Sequence, residues 1–294
     1  MGEKIKTPVV LVHSGSLFPT CLNDCISLLK RSEVEVHLIL PKDLHHLVLH
    51  EDIILEDLEN FKDESYRSYN ITNFNTEFRD NFYSRTSSRF FILHNYAKSK
   101  GLESFFHIEN DIALFSDLIH ERSVAEQLGK QMSLVIDADR CVPSIIWFKD
   151  HSIIEAVCDF IFNNNSFTDM QNLYHFFTRY QYLVSNFPIL PEASKYNDFN
   201  IKYDNSFDSY QSIFDGAALG QYLFGIDNVQ EPSDKKIGFI NETTVFKACD
   251  YKYVWENGQP HMMDQEGVIT KINNLHMHCK DIKQLLEWMI CILK

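Results

Sequence analysis

The sequence lacks a cysteine framework, is thin in backbone punctuators and carries no excess of positive charge. Its seven cysteines are an odd number with no CxxC pair among them. Cys21 and Cys25 fall four apart in a stretch of helical spacing, so reduced thiols in a cytoplasmic setting are expected rather than disulfides. Glycine (10) and proline (8) are sparse for 294 residues, which excludes collagen-like and low-complexity chains. No apolar run approaches the length of a membrane-spanning helix, so no transmembrane segment is expected. The opening "MGEKIKTPVVLVH" lacks the apolar core of a secretory signal, and Lys6 breaks the myristoylation pattern. Lysine and arginine total 27 against 41 aspartates and glutamates, a net charge of −14. Such a chain is repelled by nucleic acid and by anionic membranes. Nucleic acid is therefore not an expected partner, and an anionic ligand would need a local metal ion or a few placed cations.

What is present is ample core material: hydrophobic residues make up 45% and aromatics 13% of the chain, which argues against disorder. "TPVVLVHSGS" reads as a buried strand ending in a polar turn, "FPTCLNDCISLLKRS" as a helix and "EVEVHLIL" as a second strand. This opening is the mark of a parallel sheet built by crossover units. "RTSSRFFILHNYAKSKGLE" reads as a helix stopping at Gly101. "MSLVIDAD" and "PSIIWF" read as strands, "SIIEAVCDFIFNN" as a helix, and residues 164–212 as helices and long loops. "TKINNLHMHCK" reads as a late strand and "DIKQLLEWMICILK" as a closing amphipathic helix. One α/β domain over residues 1–294 is expected, with a mixed, mostly parallel central sheet flanked by helices.

The stretch "SFFHIENDIALF" drives an apolar strand into Glu109-Asn110-Asp111. Burying unpaired charge is costly, so the acids need a partner. Ligands of open α/β sheets sit outside the carboxyl ends of the strands. Two acids one residue apart point the same way in an extended segment and can share a hard cation such as Mg2+ or Mn2+. Surface acids capping a following helix are the plainer alternative. In "LHMHCK", strand alternation would put His276, His278 and Lys280 on one face. Imidazole ligates Mn2+, and lysine is a point charge for phosphate.

The order of these parts resembles metal-dependent, nucleotide-sugar glycosyltransferases of the GT-A fold, in particular a group from bacteria and large DNA viruses. "VVLVHSGSLFPTCLNDC" resembles that family's first strand and nucleotide-facing loop. "SRFFILHNYAKSKGLESFFHIENDIALFSDL" resembles its helix, strand and D-x-D-type motif. "FDGAALGQYLFGIDN" resembles its acceptor-side segment, and "NNLHMHCK" its late metal-and-phosphate segment. The resemblance implies Asp111 as principal metal ligand, with Glu109, in place of the usual Asp, touching metal or ribose. It implies His276 or His278 as the late ligand and Lys280 on the diphosphate. His13, Ser14 and Gly15 would approach the nucleoside, with Asn110 beside them, and Arg89 would contact the nucleotide. Asp215 is the expected catalytic base, with the N-cap of the short helix that follows as the alternative; Gln221 and Asp137 are expected sugar contacts, and Asp139 is held in reserve. The implied donor is a UDP-sugar, the acceptor a glycan or other hydroxyl, and the cofactor Mn2+ or Mg2+. A glycoside hydrolase and a non-catalytic nucleotide-sugar-binding protein remain as alternatives.

Overall fold

The computed structural model describes residues 6–69, 81–191, 206–226, 237–283 and 285. The chain opens with β1 (Thr7–Val12), α1 (Leu22–Leu29), β2 (Val34–Leu40) and β3 (Ile54–Asp57), followed by the short α2 (Glu64–Ser68). Every residue of β1 from Val9 to Val12 is buried, as a parallel strand covered on both faces should be. Next come α3 (Phe82–Lys100), β4 (Glu103–Ile108), β5 (Ile112–Leu114) and α4 (Leu118–Gln127). α3 stops where expected, with Gly101 as a left-handed cap (φ 59°). Then follow β6 (Met132–Asp137), β7 (Arg140–Asp150), α5 (His151–Asn163), α6 (Asp169–Arg179) and β8 (Val184–Phe187).

The main sheet has the order β3-β2-β1-β4-β7-β6-β8. β7 runs antiparallel to β4 and β6, and every other pairing is parallel. Alternate residues of the strands feed two hydrophobic cores. Val9, Leu11 and Phe106 pack with Leu22, Ile26 and Leu118 of α1 and α4 on one face. Val10, Val12 and Phe105 pack with Phe90, Ile154 and Phe176 of α3, α5 and α6 on the other. The fold is thus mixed α/β, a mostly parallel sheet between two helical layers.

The remaining elements are α7 (Phe207–Tyr210), β9 (Ser212–Ile213), α8 (Leu219–Phe224), β10 (Lys252–Glu256), β11 (Gln259–Met263), β12 (Ile269–Ile272) and β13 (Asn274–His276). They form a four-stranded sheet, β10-β11-β12-β9, and β13 pairs with β5 in a separate ladder.

Several expectations change. The single strand read over "SFFHIENDIALF" is two strands in different sheets, with a turn at Glu109–Asp111 between them. Residues 184–187, expected among loops, form the edge strand β8. "VIDADR" is a tight hairpin, with Ala138 left-handed (φ 57°) between β6 and β7. The late strand breaks at Asn273 and ends at His276. Beyond it the chain turns, with His278 N donating to His276 O and Lys280 N to Met277 O. Most of the expected closing helix lies outside the described residues. No helix among the described residues is long and apolar enough to cross a membrane.

Candidate metal centre

The turn at Glu109–Asp111 is where the chain leaves the main sheet. β4 is fixed between β1 and β7, and Glu109 N, just past the strand, still donates to Ser144 O of β7 (3.0 Å). Past the turn, β5 pairs antiparallel with β13, Ile112 opposite His276, and Met277 N donates to Asp111 O (2.8 Å). That register sets His276 beside both acids. Its Nε2 lies 3.6 Å from Glu109 Oε2 and 3.5 Å from Asp111 Oδ2. One ligand atom from each of the three residues falls within 4.8 Å of the others.

The imidazole is held in the orientation a cation needs. Nδ1 sits 2.5 Å from Gly216 O, which assigns a proton to Nδ1 and turns Nε2 toward the carboxylates. Two carboxylates and one imidazole nitrogen are a donor set that fits a divalent cation. The His278 ring lies 4.2 Å from that of His276, centroid to centroid. Lys280 reaches Asp111 Oδ2 with its ammonium, from a left-handed backbone position (φ 58°).

Arg89 enters from α3. Its Nη1 donates to Glu109 Oε1 (2.5 Å) and its Nη2 to Asp169 Oδ2 (2.8 Å). Burial alone would raise the Glu109 carboxyl. The Arg89 guanidinium, followed by His276, outweighs it and holds the pKa down to about 2, so Glu109 is ionised at neutral pH. Arg89 was expected on the nucleotide; instead both of its terminal nitrogens are engaged inside the protein.

The first loop closes over the same turn. Asn110 Nδ2 donates to His13 Nδ1 (3.3 Å), and His13 Nε2 donates to Leu17 O (2.8 Å). Desolvation lowers the His13 pKa, in keeping with a neutral ring. A Cβ on Gly15 would come within 2.8 Å of that ring, so Gly15 is what lets the loop fold over it. Ser14 is half-buried in the same loop. From behind, the Cys21 thiol donates to Asn110 O (3.5 Å) and the Cys25 thiol to Glu109 O (3.9 Å). Burial raises both thiol pKa values, which keeps them protonated donors.

Other expected site residues have different geometry. Asp215 accepts from four backbone amides. Oδ1 takes Ala218 N (3.0 Å) and Leu219 N (2.9 Å), and Oδ2 takes Gly220 N (2.8 Å) and His276 N (2.9 Å). A buried carboxylate so saturated has no free lone pair for a substrate proton. It instead ties the start of α8 to His276, the residue the centre depends on. Gly220 belongs to the same junction, since a Cβ there would lie 2.0 Å from His276 O. Asp137 is buried, accepts from Val245 N (2.7 Å) and faces Arg140 (3.6 Å), so it braces a loop rather than meeting a sugar. Gln221 is buried, with its Oε1 accepting from Asn241 (3.2 Å), and Asp139 is exposed at the hairpin.

Two participants escaped sequence reasoning: the Gly216 carbonyl that orients His276, and Asp169 behind Arg89. The signal for Asp169 was available. Thr168 and Gln171 form a capping box, a pattern that puts Asp169 at the first position of a helix.

A cavity of about 730 Å3 lies elsewhere, at the amino-terminal end of β1, lined by Lys6, Arg31, Glu33 and Asp117 among others. It contains none of the centre's residues. Ligands of such sheets gather at the carboxyl ends of strands, where Glu109 and Asp111 lie.

No protein-family model and no curated protein matches the chain. Among solved structures it is similar to mouse xyloside xylosyltransferase 1 in the apo form, with a TM-score of 0.45 at 10% identity over 70% of this chain and 93% of that one. It is similar also to the glycosyltransferase GlyE of Streptococcus pneumoniae TIGR4, with a TM-score of 0.40 at 10% identity over 66% of this chain and 47% of that one. A third likeness is to 4-diphosphocytidyl-2C-methyl-D-erythritol synthase of Anaerococcus prevotii DSM 20548, with a TM-score of 0.38 at 13% identity over 70% and 93%. At these scores the overlaps carry no argument about activity; the geometry of the centre must carry it.

Proposed function

We propose that this chain is a divalent-metal-dependent glycosyltransferase of the GT-A class. It would move a sugar from a nucleoside-diphosphate sugar, a UDP-sugar being favoured, to a hydroxyl acceptor such as a glycan. The observation that carries the reading is the meeting of Glu109, Asp111 and His276 Nε2 at the carboxyl end of β4. A chain of net charge −14 repels an anionic donor at long range, and a cation held at these three residues reverses the sign locally.

Asp111 and His276 would be the principal ligands. Glu109 would offer Oε2, its Oε1 being held by Arg89. Mn2+ suits the mixed oxygen and nitrogen donors better than Mg2+ does. The bound ion would stabilise negative charge on the departing diphosphate. Lys280, already within reach of the centre, would add a second positive charge to the same group. The first loop, with His13, Ser14 and Gly15 packed over Asn110, would form the nucleoside side of the site.

The test is a thermal-shift panel of UDP- and GDP-sugars, each with and without Mn2+. A ligand that binds only the native state raises the melting temperature. A UDP-sugar should do so only when Mn2+ is present, and Asp111→Asn should remove the shift. A shift that persists in Asp111→Asn, or that needs no metal, would sink the assignment.

A further inference from the structure

We infer that Asp169 is a positioning residue for the metal centre, acting through Arg89 on Glu109; this rests on the metal-binding reading given above. The three groups form a buried chain. Asp169 Oδ2 accepts from Arg89 Nη2 (2.8 Å), and Arg89 Nη1 donates to Glu109 Oε1 (2.5 Å). Arg89 and Asp169 are buried, and Glu109 is close to it, its side chain 17% exposed.

The geometry explains why two carboxylates are needed. A guanidinium facing one carboxylate favours a bidentate grip, one nitrogen on each oxygen. Such a grip on Glu109 would take Oε2 as well as Oε1 and leave nothing for a cation. Here the fork is split. Asp169 takes Nη2 and Glu109 takes Nη1, and Oε2 remains turned toward His276 Nε2 at 3.6 Å. Arg89 therefore fixes the rotamer of Glu109 without competing for its second oxygen.

Asp169 is itself held rigidly. It is the first residue of α6, whose cap is closed reciprocally: Gln171 N donates to Thr168 Oγ1 (3.3 Å), and Thr168 N donates to Gln171 Oε1 (3.1 Å). The charges also match. The buried Arg89 guanidinium is shared between two carboxyl groups, so its charge is divided between Glu109 and Asp169. Without Asp169, both terminal nitrogens of Arg89 are available to Glu109, and its second oxygen is drawn away from the centre. Supporting partners of this kind are worth roughly 10–100-fold in metal affinity.

The experiment is Mn2+ titration of the full chain, followed by the electron paramagnetic resonance signal of free Mn2+, with no nucleotide present. Wild type, Asp169→Asn, Asp169→Glu and Asp111→Asn are compared. Asp169→Asn should weaken Mn2+ binding by at least about fivefold, and Asp169→Glu, which keeps the charge, should recover most of the loss. A melting scan in chelator checks that Asp169→Asn folds. If it does not, Arg89→Lys takes its place, because an ammonium keeps the charge but cannot fork, and the same threshold applies. Weakening below that threshold in a folded variant, while Asp111→Asn abolishes binding, overturns the inference and leaves the metal centre standing. Wild-type protein that binds no Mn2+ overturns both.

Discussion

Asp215→Asn separates a reacting carboxylate from one that holds the site together. In the wild type, four backbone N–H groups point at the two oxygens, at 2.8–3.0 Å. Asparagine has one acceptor oxygen, so whichever way its amide turns, two of those N–H groups face an NH2. A buried donor deprived of its acceptor costs about 1–3 kcal/mol, and two such donors cost about 2–6 kcal/mol. For a chain of this length that is a melting-temperature drop of about 3–10 °C. The drop should appear by circular dichroism in chelator, with no nucleotide or metal present, because it belongs to the fold. Mn2+ binding should weaken in parallel, since the same carboxylate ties the start of α8 to His276 N. The reasoning fails if Asp215→Asn melts within about 2 °C of wild type yet abolishes sugar transfer. Asp215 would then be a reacting group whose amide bonds are incidental.

Glu121 gives a pH prediction independent of the metal centre. It is buried on α4 with one hydrogen bond, from Asn273 Nδ2 (3.1 Å). Desolvation, against the pull of Lys271 and Asn273, raises its pKa from 4.5 to about 8. The folded chain therefore keeps a proton that the unfolded chain loses. The stability from this group is complete below pH 4.5 and is lost as pH rises through about 8, a fall of at most about 5 kcal/mol. Urea unfolding at pH 5 and 8.5 should show a smaller loss in Glu121→Gln, whose amide has no proton to release; an unchanged loss would refute the assignment. At Gly220, alanine would place its Cβ 2.0 Å from His276 O, a backbone atom that cannot yield cheaply. Gly220→Ala should lower the melting temperature and weaken Mn2+ binding together, and a variant that binds Mn2+ normally would show that α8 and His276 can separate freely.

What could be read from the sequence follows the range of the interactions involved. The strand-helix-strand opening and the stop of α3 at Gly101 are local signals, and the structure reproduces them. The acids at the end of β4 were visible because charge after an apolar strand is conspicuous within a dozen residues. The split of that segment into β4 and β5 was not visible, because β5 is defined by its distant partner β13. The same pairing decides that His276 is the residue at the centre, whereas alternation along "LHMHCK" could not rank it above His278. Asp215 stayed open between base and helix cap for a different reason: an aspartate before small residues has one signature whether it takes a proton or caps a helix. Only the count of amides around its oxygens tells the two apart.

The position of the acids also explains why the site needs both sheets. Glu109 directly follows β4 of the main sheet, Asp111 directly precedes β5 and its ladder with β13, and the single residue between them faces the first loop. Each of the three residues of the turn is thus fixed by a different part of the chain: Glu109 by Arg89 of α3, Asn110 by His13 after β1, and Asp111 by Met277 and Lys280 after β13. A shift of β5 against β13 by one residue would turn the His276 side chain to the opposite face and dissolve the centre while leaving the main sheet untouched. The centre therefore depends on the register of the β5–β13 ladder as well as on the main sheet. Its donor geometry reports on the packing of the two ladders, in a way that the buried strands of the large sheet do not.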